Sequence, residues 1–199
     1  MARAFASMPP AQDLTADTAR RLARRIVAER RRTILLDGPS GSGKSTFARS
    51  LLAELLAVSG APSVELVRMD DLFPGWSGLD SAARATAQDL VRAHALGLSA
   101  RWRPWNWATG TTAGRRRVSA SLLLLEGCGA ANAAARRYAG LVIWLEAGDA
   151  QRRKRALTRD GELFAPHWEE WDRDFRAYCA RERPREGADV VLDTSGVDD

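Results

Sequence analysis

Eight consecutive residues, Gly38-Pro39-Ser40-Gly41-Ser42-Gly43-Lys44-Ser45, fill every fixed position of the pattern G-x-x-x-x-G-K-[ST]. Glycines in such a turn let successive backbone N–H groups point into one concavity, where they can cradle phosphate oxygens. A helix opening near Gly43 adds its positive dipole end to the same spot. Lys44 is then placed to bridge the outer phosphates of ATP, and the Ser45 hydroxyl, followed by Thr46, to meet the Mg2+ ion that accompanies them. The chain has 28 arginines but only two lysines, Lys44 and Lys154. A lysine kept where arginine is otherwise the rule points to a specific role.

Three carboxylates stand where they could serve this cradle. Asp70 and Asp71 close the apolar stretch Val64-Glu65-Leu66-Val67-Arg68-Met69, and Glu126 closes Leu122-Leu123-Leu124-Leu125. A buried strand that ends in one acid delivers that acid to the phosphate edge of a sheet, where it can hold Mg2+ directly or through water. Phosphoryl transfer to an alcohol also needs a group that accepts the hydroxyl proton across from the γ-phosphate, and Asp70 can be that group. Asp71 is either a second carboxylate on the acceptor side or a cap for the turn at Pro74-Gly75.

The elements that must position these residues are readable from apolar patterning. Five runs read as strands: 33–37, 64–69, 121–126, 141–145 and 189–193. Helical periodicity covers about 44–58, 81–96, 149–160 and 167–183, and a further basic amphipathic helix is expected over about 13–32. Such alternation predicts an α/β fold of the P-loop NTPase kind, a five-stranded, mostly parallel sheet with helices on both faces. Ligands in such sheets sit beyond the carboxyl ends of the strands, where the motifs fall. We read residues 1–199 as a single domain, with an acceptor-binding insertion over about 70–120 and a lid helix over about 149–160.

Composition bounds the function classes. Apolar content of 45% and charged content of 28% are ordinary for a globular protein. No apolar run is long enough to span a bilayer and the first ten residues lack a secretory hydrophobic stretch, so a cytoplasmic location is expected. Cys128 and Cys179 are too few for a disulfide framework and read as free thiols. The net charge of +5 is matched by residues 1–32 alone, with eight arginines against Asp13, Asp17 and Glu29. The rest of the chain is balanced, which argues for a solvated helix rather than a nucleic-acid partner. Two histidines and two scattered cysteines offer no zinc spacing, and His94, inside an expected helix, is given no chemical role.

Taken together, the glycine-rich cradle through Thr46, Asp70-Asp71-Leu72-Phe73 and Glu126-Gly127 make the chain similar to the uridine kinase-like P-loop kinases, a group that also includes nicotinamide riboside, pantothenate and phosphoribulose kinases. The likeness spans roughly residues 33–193. It implies that Asp70 serves as base and metal neighbour and that Glu126 helps to hold Mg2+. It also implies a lid with an arginine that closes over the phosphates. Here Arg152, Arg155 and Arg159 fall at i, i+3 and i+7, on one helical face.

The segment between the second and third strands, about fifty residues, is too long for a plain connection and is where these kinases build the acceptor pocket. It carries Arg101-Trp102-Arg103-Pro104-Trp105-Asn106-Trp107. Trp105 and Trp107, with Asn106 between them, could stack on a base or close a hydrophobic hairpin. In the C-terminal helix Trp168, Trp171, Phe175 and Tyr178 share a face expected to pack on the sheet.

The leading expectation is an ATP- and Mg2+-dependent kinase that phosphorylates a hydroxyl of a nucleoside-like or other ribosyl metabolite. A second reading is a nucleoside monophosphate kinase of the cytidylate kinase type, which would use Arg68, Arg84, Arg101 or Arg103 for the acceptor's phosphate. A third is an ATP-binding regulatory module that lacks a small acceptor and docks a partner through its basic helix.

Overall fold

The computed structural model describes residues 11–15 and 17–196. In chain order the elements are β1 (Ala11–Asp13), α1 (Thr18–Ala28), β2 (Thr33–Asp37), α2 (Lys44–Ala57), β3 (Val64–Arg68), α3 (Leu79–Thr86) and α4 (Ala93–Ala95). Four two-residue strands follow, β4 (Arg101–Trp102), β5 (Trp105–Asn106), β6 (Thr111–Thr112) and β7 (Arg116–Arg117). The chain continues with β8 (Leu122–Glu126), α5 (Ala133–Arg136), β9 (Leu141–Glu146), α6 (Asp149–Phe164), α7 (Trp168–Glu182) and β10 (Val190–Asp193). No helix among the described residues is long and apolar enough to cross a membrane.

The main sheet has six strands in the order β1-β10-β9-β2-β8-β3, every neighbouring pair parallel. The five strands expected from sequence are present within a residue or so of their expected bounds. The sixth is a correction. Residues 11–13 pair with 191–193 at the sheet edge instead of opening the first helix, which runs only from Thr18 to Ala28. A three-residue edge strand is held by backbone hydrogen bonds and needs no side-chain alternation.

Alternation along the central strands splits the core into two layers. Ile34, Leu36, Leu122, Leu124, Ile143 and Leu145 face α1 and α2, meeting Leu22, Ile26, Phe47, Leu51 and Leu55. Leu35, Leu123, Leu125, Val142, Trp144 and Val191 face the opposite way, toward Leu90, Val91, Phe175 and Tyr178. Helices therefore cover both faces, as nearly continuous apolar strands require.

The helix expected over 81–96 is interrupted by a π-helical segment, Ala87–Arg92, between α3 and α4. The wide turn lets the adjacent residues Leu90 and Val91 both be fully buried. It also delivers His94 to the sheet, where its ring joins Thr33 Oγ1 at 2.9 Å through Nδ1 and Ala120 O at 3.2 Å through Nε2. The carbonyl can only accept, so Nε2 carries the hydrogen and Nδ1 accepts from the threonine.

Burial, the main cause, holds the His94 pKa below its ordinary 6.5. The unfolded chain therefore takes up a proton before the fold does as pH falls through 6.5, and stability drops in that window. Chemical denaturation from pH 7.5 to 5 should show this decline flattened in His94→Asn. An unchanged pH profile in the variant would count against it.

Residues 101–117 form a two-storey ribbon, β4 pairing with β7 and β5 with β6 at the tip, both antiparallel. Cys128 and Cys179 are free thiols.

Candidate active site

The strand order explains why residues far apart in sequence meet. β2, β8 and β3 are neighbours, so the cradle after β2, Glu126 at the end of β8 and Asp70 just after β3 emerge on one edge. Gly38, Gly41 and Gly43 have φ of 150°, 79° and 84°. At Gly41 a side chain would also run into the backbone carbonyl of Arg152, so this position excludes a Cβ on two counts. Gly43 stands at the N-terminus of α2, whose first N–H groups open toward the cradle.

Behind the cradle sits a carboxylate that the sequence reading passed over. Asp37 is fully buried. Its Oδ1 accepts from the N–H groups of Gly38 (2.7 Å) and Gly129 (3.1 Å), and its Oδ2 from Ala131 N–H (2.9 Å) and Tyr178 O–H (2.8 Å). It thus stitches the start of the cradle to the loop after β8 and to α7. Burial pushes its pKa up, against the opposing pull of the Ala131, Tyr178 and Gly38 donors and of Lys44. Next to it the Cys128 thiol, whose pKa burial raises to about 11, donates to Gly38 O at 3.3 Å.

Tyr178→Phe removes one of these donors and leaves the buried carboxylate less satisfied. The expected cost is about 1–3 kcal/mol, read as a lower denaturation midpoint at unchanged m-value. Retention of the wild-type midpoint would show that Tyr178 acts by packing alone.

The cradle opens into a cleft of ≈ 430 Å³. Ser40, Gly41, Gly43, Lys44, Ser45 and Thr46 line one side, and Arg68, Asp70, Asp71 and Glu126 another. Lys44 Nζ donates to Pro39 O at 2.7 Å, folded onto the loop it serves. Ser45 Oγ lies 3.4 Å from Glu126 Oε2, and Arg68 Nε 3.8 Å from Glu126 Oε1. Glu126 is 2% exposed, and burial pushes its pKa up while Lys44 opposes the shift. Asp70 keeps access to the water of the cleft but is ringed by protein. The thinned hydration raises its carboxyl pKa against the pull of Lys44 and Arg159.

The residues present fit a nucleotide with Mg2+. Ser42 Oγ is buried without a hydrogen-bond partner among the described residues, inside a turn that no Cβ could enter at Gly38 or Gly41. No group of three or more His, Cys, Asp or Glu among the described residues could hold a metal alone. Mg2+ is commonly held by one or two protein oxygens together with substrate phosphates. Here those oxygens would be Ser45 Oγ and the Glu126 carboxylate.

The three arginines expected on a lid separate. Arg159 lines the cleft, its guanidinium paired with Asp160 through Nε (2.8 Å) and Nη2 (2.6 Å). Arg152 does not turn toward it. Arg152 is buried in an ion pair with Asp149 (2.8 Å) and Asp172 (2.6 Å) and lies over the Trp168 ring. Arg155 reaches Thr194, whose hydroxyl in turn donates to Ser42 O at 3.1 Å, so it braces the cradle from behind. Helical spacing sets a common face but not the partners. The foot of α6 lies beside these acids and β10, and only its far end overhangs the cleft. Regular helix stops at Gly161 (φ 55°, ψ −137°).

The tryptophans separate too. Trp107 lines the cleft and donates from Nε1 to Asp70 O at 2.9 Å. Trp105 and Asn106 stand outside the cleft lining. Asn106 Oδ1 instead accepts from Ala108 and Thr109 N–H and shapes the ribbon tip. The aromatic wall that the sequence reading missed is built from scattered residues. Trp76 packs on Trp107 (centroids 4.8 Å), Phe164 (5.4 Å) and His167 (4.4 Å), and Phe73 meets Trp171 edge-on at 4.9 Å. Phe73, Trp76, Phe164 and Trp171 all line the cleft, so Trp171 does more than pack on the sheet.

Sheet order, glycine cradle and the acids at its rim define a P-loop nucleotide-binding fold. A family model described as an AAA domain matches residues 34–165, and the chain belongs to that family. Among solved structures it is similar to a protein from Bacillus stearothermophilus described as a possible uridine kinase, with 23% identity and a TM-score of 0.63 over 89% of this chain and 98% of the other. A protein from Silicibacter sp. TM1040 described as a candidate fructose transport system kinase aligns at 19% identity and a TM-score of 0.51, over 88% and 98%. At these identities the likeness is one of fold, and in fold the chain meets the expected resemblance to uridine kinase-like proteins. No curated protein matches the chain by sequence.

Proposed function

We propose that the chain is an ATP- and Mg2+-dependent small-molecule kinase that transfers the γ-phosphate to a hydroxyl of a nucleoside-like or other ribosyl metabolite. The observation that carries this reading is the shared cleft. Lys44 and Ser45 stand on one side, Asp70 on another, and an aromatic wall of Trp76 and Trp107 lines the space they enclose. In the proposed step the Asp70 carboxylate accepts the hydroxyl proton as the acceptor oxygen bonds to the γ-phosphorus. The bond to the β–γ bridging oxygen breaks, and ADP leaves. Mg2+ held by Ser45 and Glu126 would neutralise phosphate charge. Lys44 does the same from the cradle, and Arg159 from the lid once it exchanges Asp160 for phosphate. The flat rings of Trp76 and Trp107 suit a ring-bearing acceptor.

The monophosphate-acceptor reading has less support. Of the four arginines it could use, only Arg68 lines the cleft, and that side chain sits beside Glu126. Arg84 lies 4.0 Å from Asp80, and Arg101 and Arg103 line a different cavity. The test is ADP formation with nucleosides, other ribosyl compounds and nucleoside monophosphates offered in parallel. The proposal expects ADP release that depends on an unphosphorylated acceptor. Steady hydrolysis indifferent to every acceptor would instead favour the regulatory module.

A further inference from the structure

A second cavity of ≈ 500 Å³ shares none of the described lining residues with the first. Its walls come from α3, the π-helical segment and the base of the ribbon, and Leu72 is its nearest approach to the Asp70-Asp71 turn. Arg92, Arg101, Arg103 and Arg115 line it, with Asp89 the only acidic residue among the described lining residues. Arg101 Nε donates to Ser99 Oγ at 2.9 Å. Among the described residues Arg92, Arg103 and Arg115 form no ion pair, although many of the chain's other arginines do. Four guanidinium groups around one concavity repel one another unless something neutralises them.

Two independent features mark the same place. Trp102, also in the lining, has its Nε1 buried with no hydrogen-bond partner among the described residues, and Arg116 lies 5.3 Å from its ring centroid. A buried N–H left unpaired costs stability and signals an acceptor still to arrive. The wall that carries Gln88, Asp89, Leu90 and Arg92 is the π-helical segment itself, a departure from α-helix found frequently at functional sites.

We infer that this cavity is a second binding site, for a small organic phosphate. Its oxyanion is taken by the Arg92, Arg103 and Arg115 guanidinium forks and by the Trp102 N–H, and its carbon skeleton lies against Leu72 and Leu98. Guanidinium groups match phosphate geometry bidentately, and the apolar residues give an esterified phosphate an advantage over the free ion. The inference does not depend on the kinase reading, because it uses no residue of the nucleotide cleft.

The test follows the tryptophan indole N–H resonances of the 15N-labelled full chain, with Mg2+ and a non-hydrolysable ATP analogue present to occupy the cradle. Trp102→Phe assigns the resonance of interest, so the readout stays local whatever happens at Lys44. Glycerol 3-phosphate should shift it saturably and inorganic phosphate more weakly, with no response to chloride at equal ionic strength. Arg92→Gln combined with Arg115→Gln, both exposed positions, should weaken binding about tenfold or more, the expected loss for removed charge-assisted hydrogen bonds. An unresponsive Trp102 resonance, an equal response to chloride, or unchanged affinity in the double variant overturns the inference. A response to an RNA oligonucleotide alone would also overturn it, and assign the patch to nucleic acid.

Discussion

Asp70→Asn is expected to lower kcat by about 10²- to 10⁴-fold, the range for a lost general base, while leaving ATP binding nearly intact. Asparagine keeps the shape of the side chain but cannot take a proton. The backbone carbonyl of Asp70, which receives the Trp107 indole N–H, is unchanged, so the ribbon should keep its seat on the turn. Binding and chemistry can therefore be read apart. Trp76 and Trp107 line the cleft, and quenching of tryptophan emission by the nucleotide should titrate at wild-type concentrations while turnover collapses. Wild-type turnover in the variant would remove Asp70 from the mechanism. A parallel loss of nucleotide affinity would instead make it a ligand of the ATP–Mg2+ complex.

Lys44→Ala should act on both. Lys44 is 7% exposed, and its ammonium supplies the positive charge nearest the turn. Removing one preorganised electrostatic donor costs about 10²–10³ in kcat, and here nucleotide affinity should fall as well. Lys44→Arg is the more discriminating variant. A guanidinium keeps the charge but is planar and wider, and the lysine stem runs in a confined space with its head on Pro39 O. Substantial rescue by arginine would mean that charge alone matters. Little rescue would account for a lysine standing here in a chain that otherwise uses arginine.

The features legible in the sequence were those written in contiguous residues. The central strands are unbroken apolar runs because both faces are buried, and Gly38–Ser45 carries its conformation in its glycines. Features written in closure were not legible. Asp37 reads as the last residue of a strand until residues 129, 131 and 178 arrive around it. Arg152, Arg155 and Arg159 share a helical face, yet Asp149 and Asp172 claim the first and Thr194 the second, leaving Arg159 at the cleft. The tryptophan cluster drew attention to Trp105, whereas the aromatic wall recruits Trp76 and Trp171 from turns and helices far along the chain. Strand β1 left no pattern because its pairing is a backbone matter.

The most direct test is a crystal structure of the chain with Mg2+, a non-hydrolysable ATP analogue and an acceptor identified by the ADP assay. The predicted result has the terminal phosphate between Lys44 Nζ and the Asp70 carboxylate, the ion on Ser45 Oγ, and the acceptor hydroxyl within hydrogen-bond reach of Asp70 against Trp107. An acceptor bound away from Asp70, or a polyphosphate lying outside the Gly38–Ser45 turn, would contradict it.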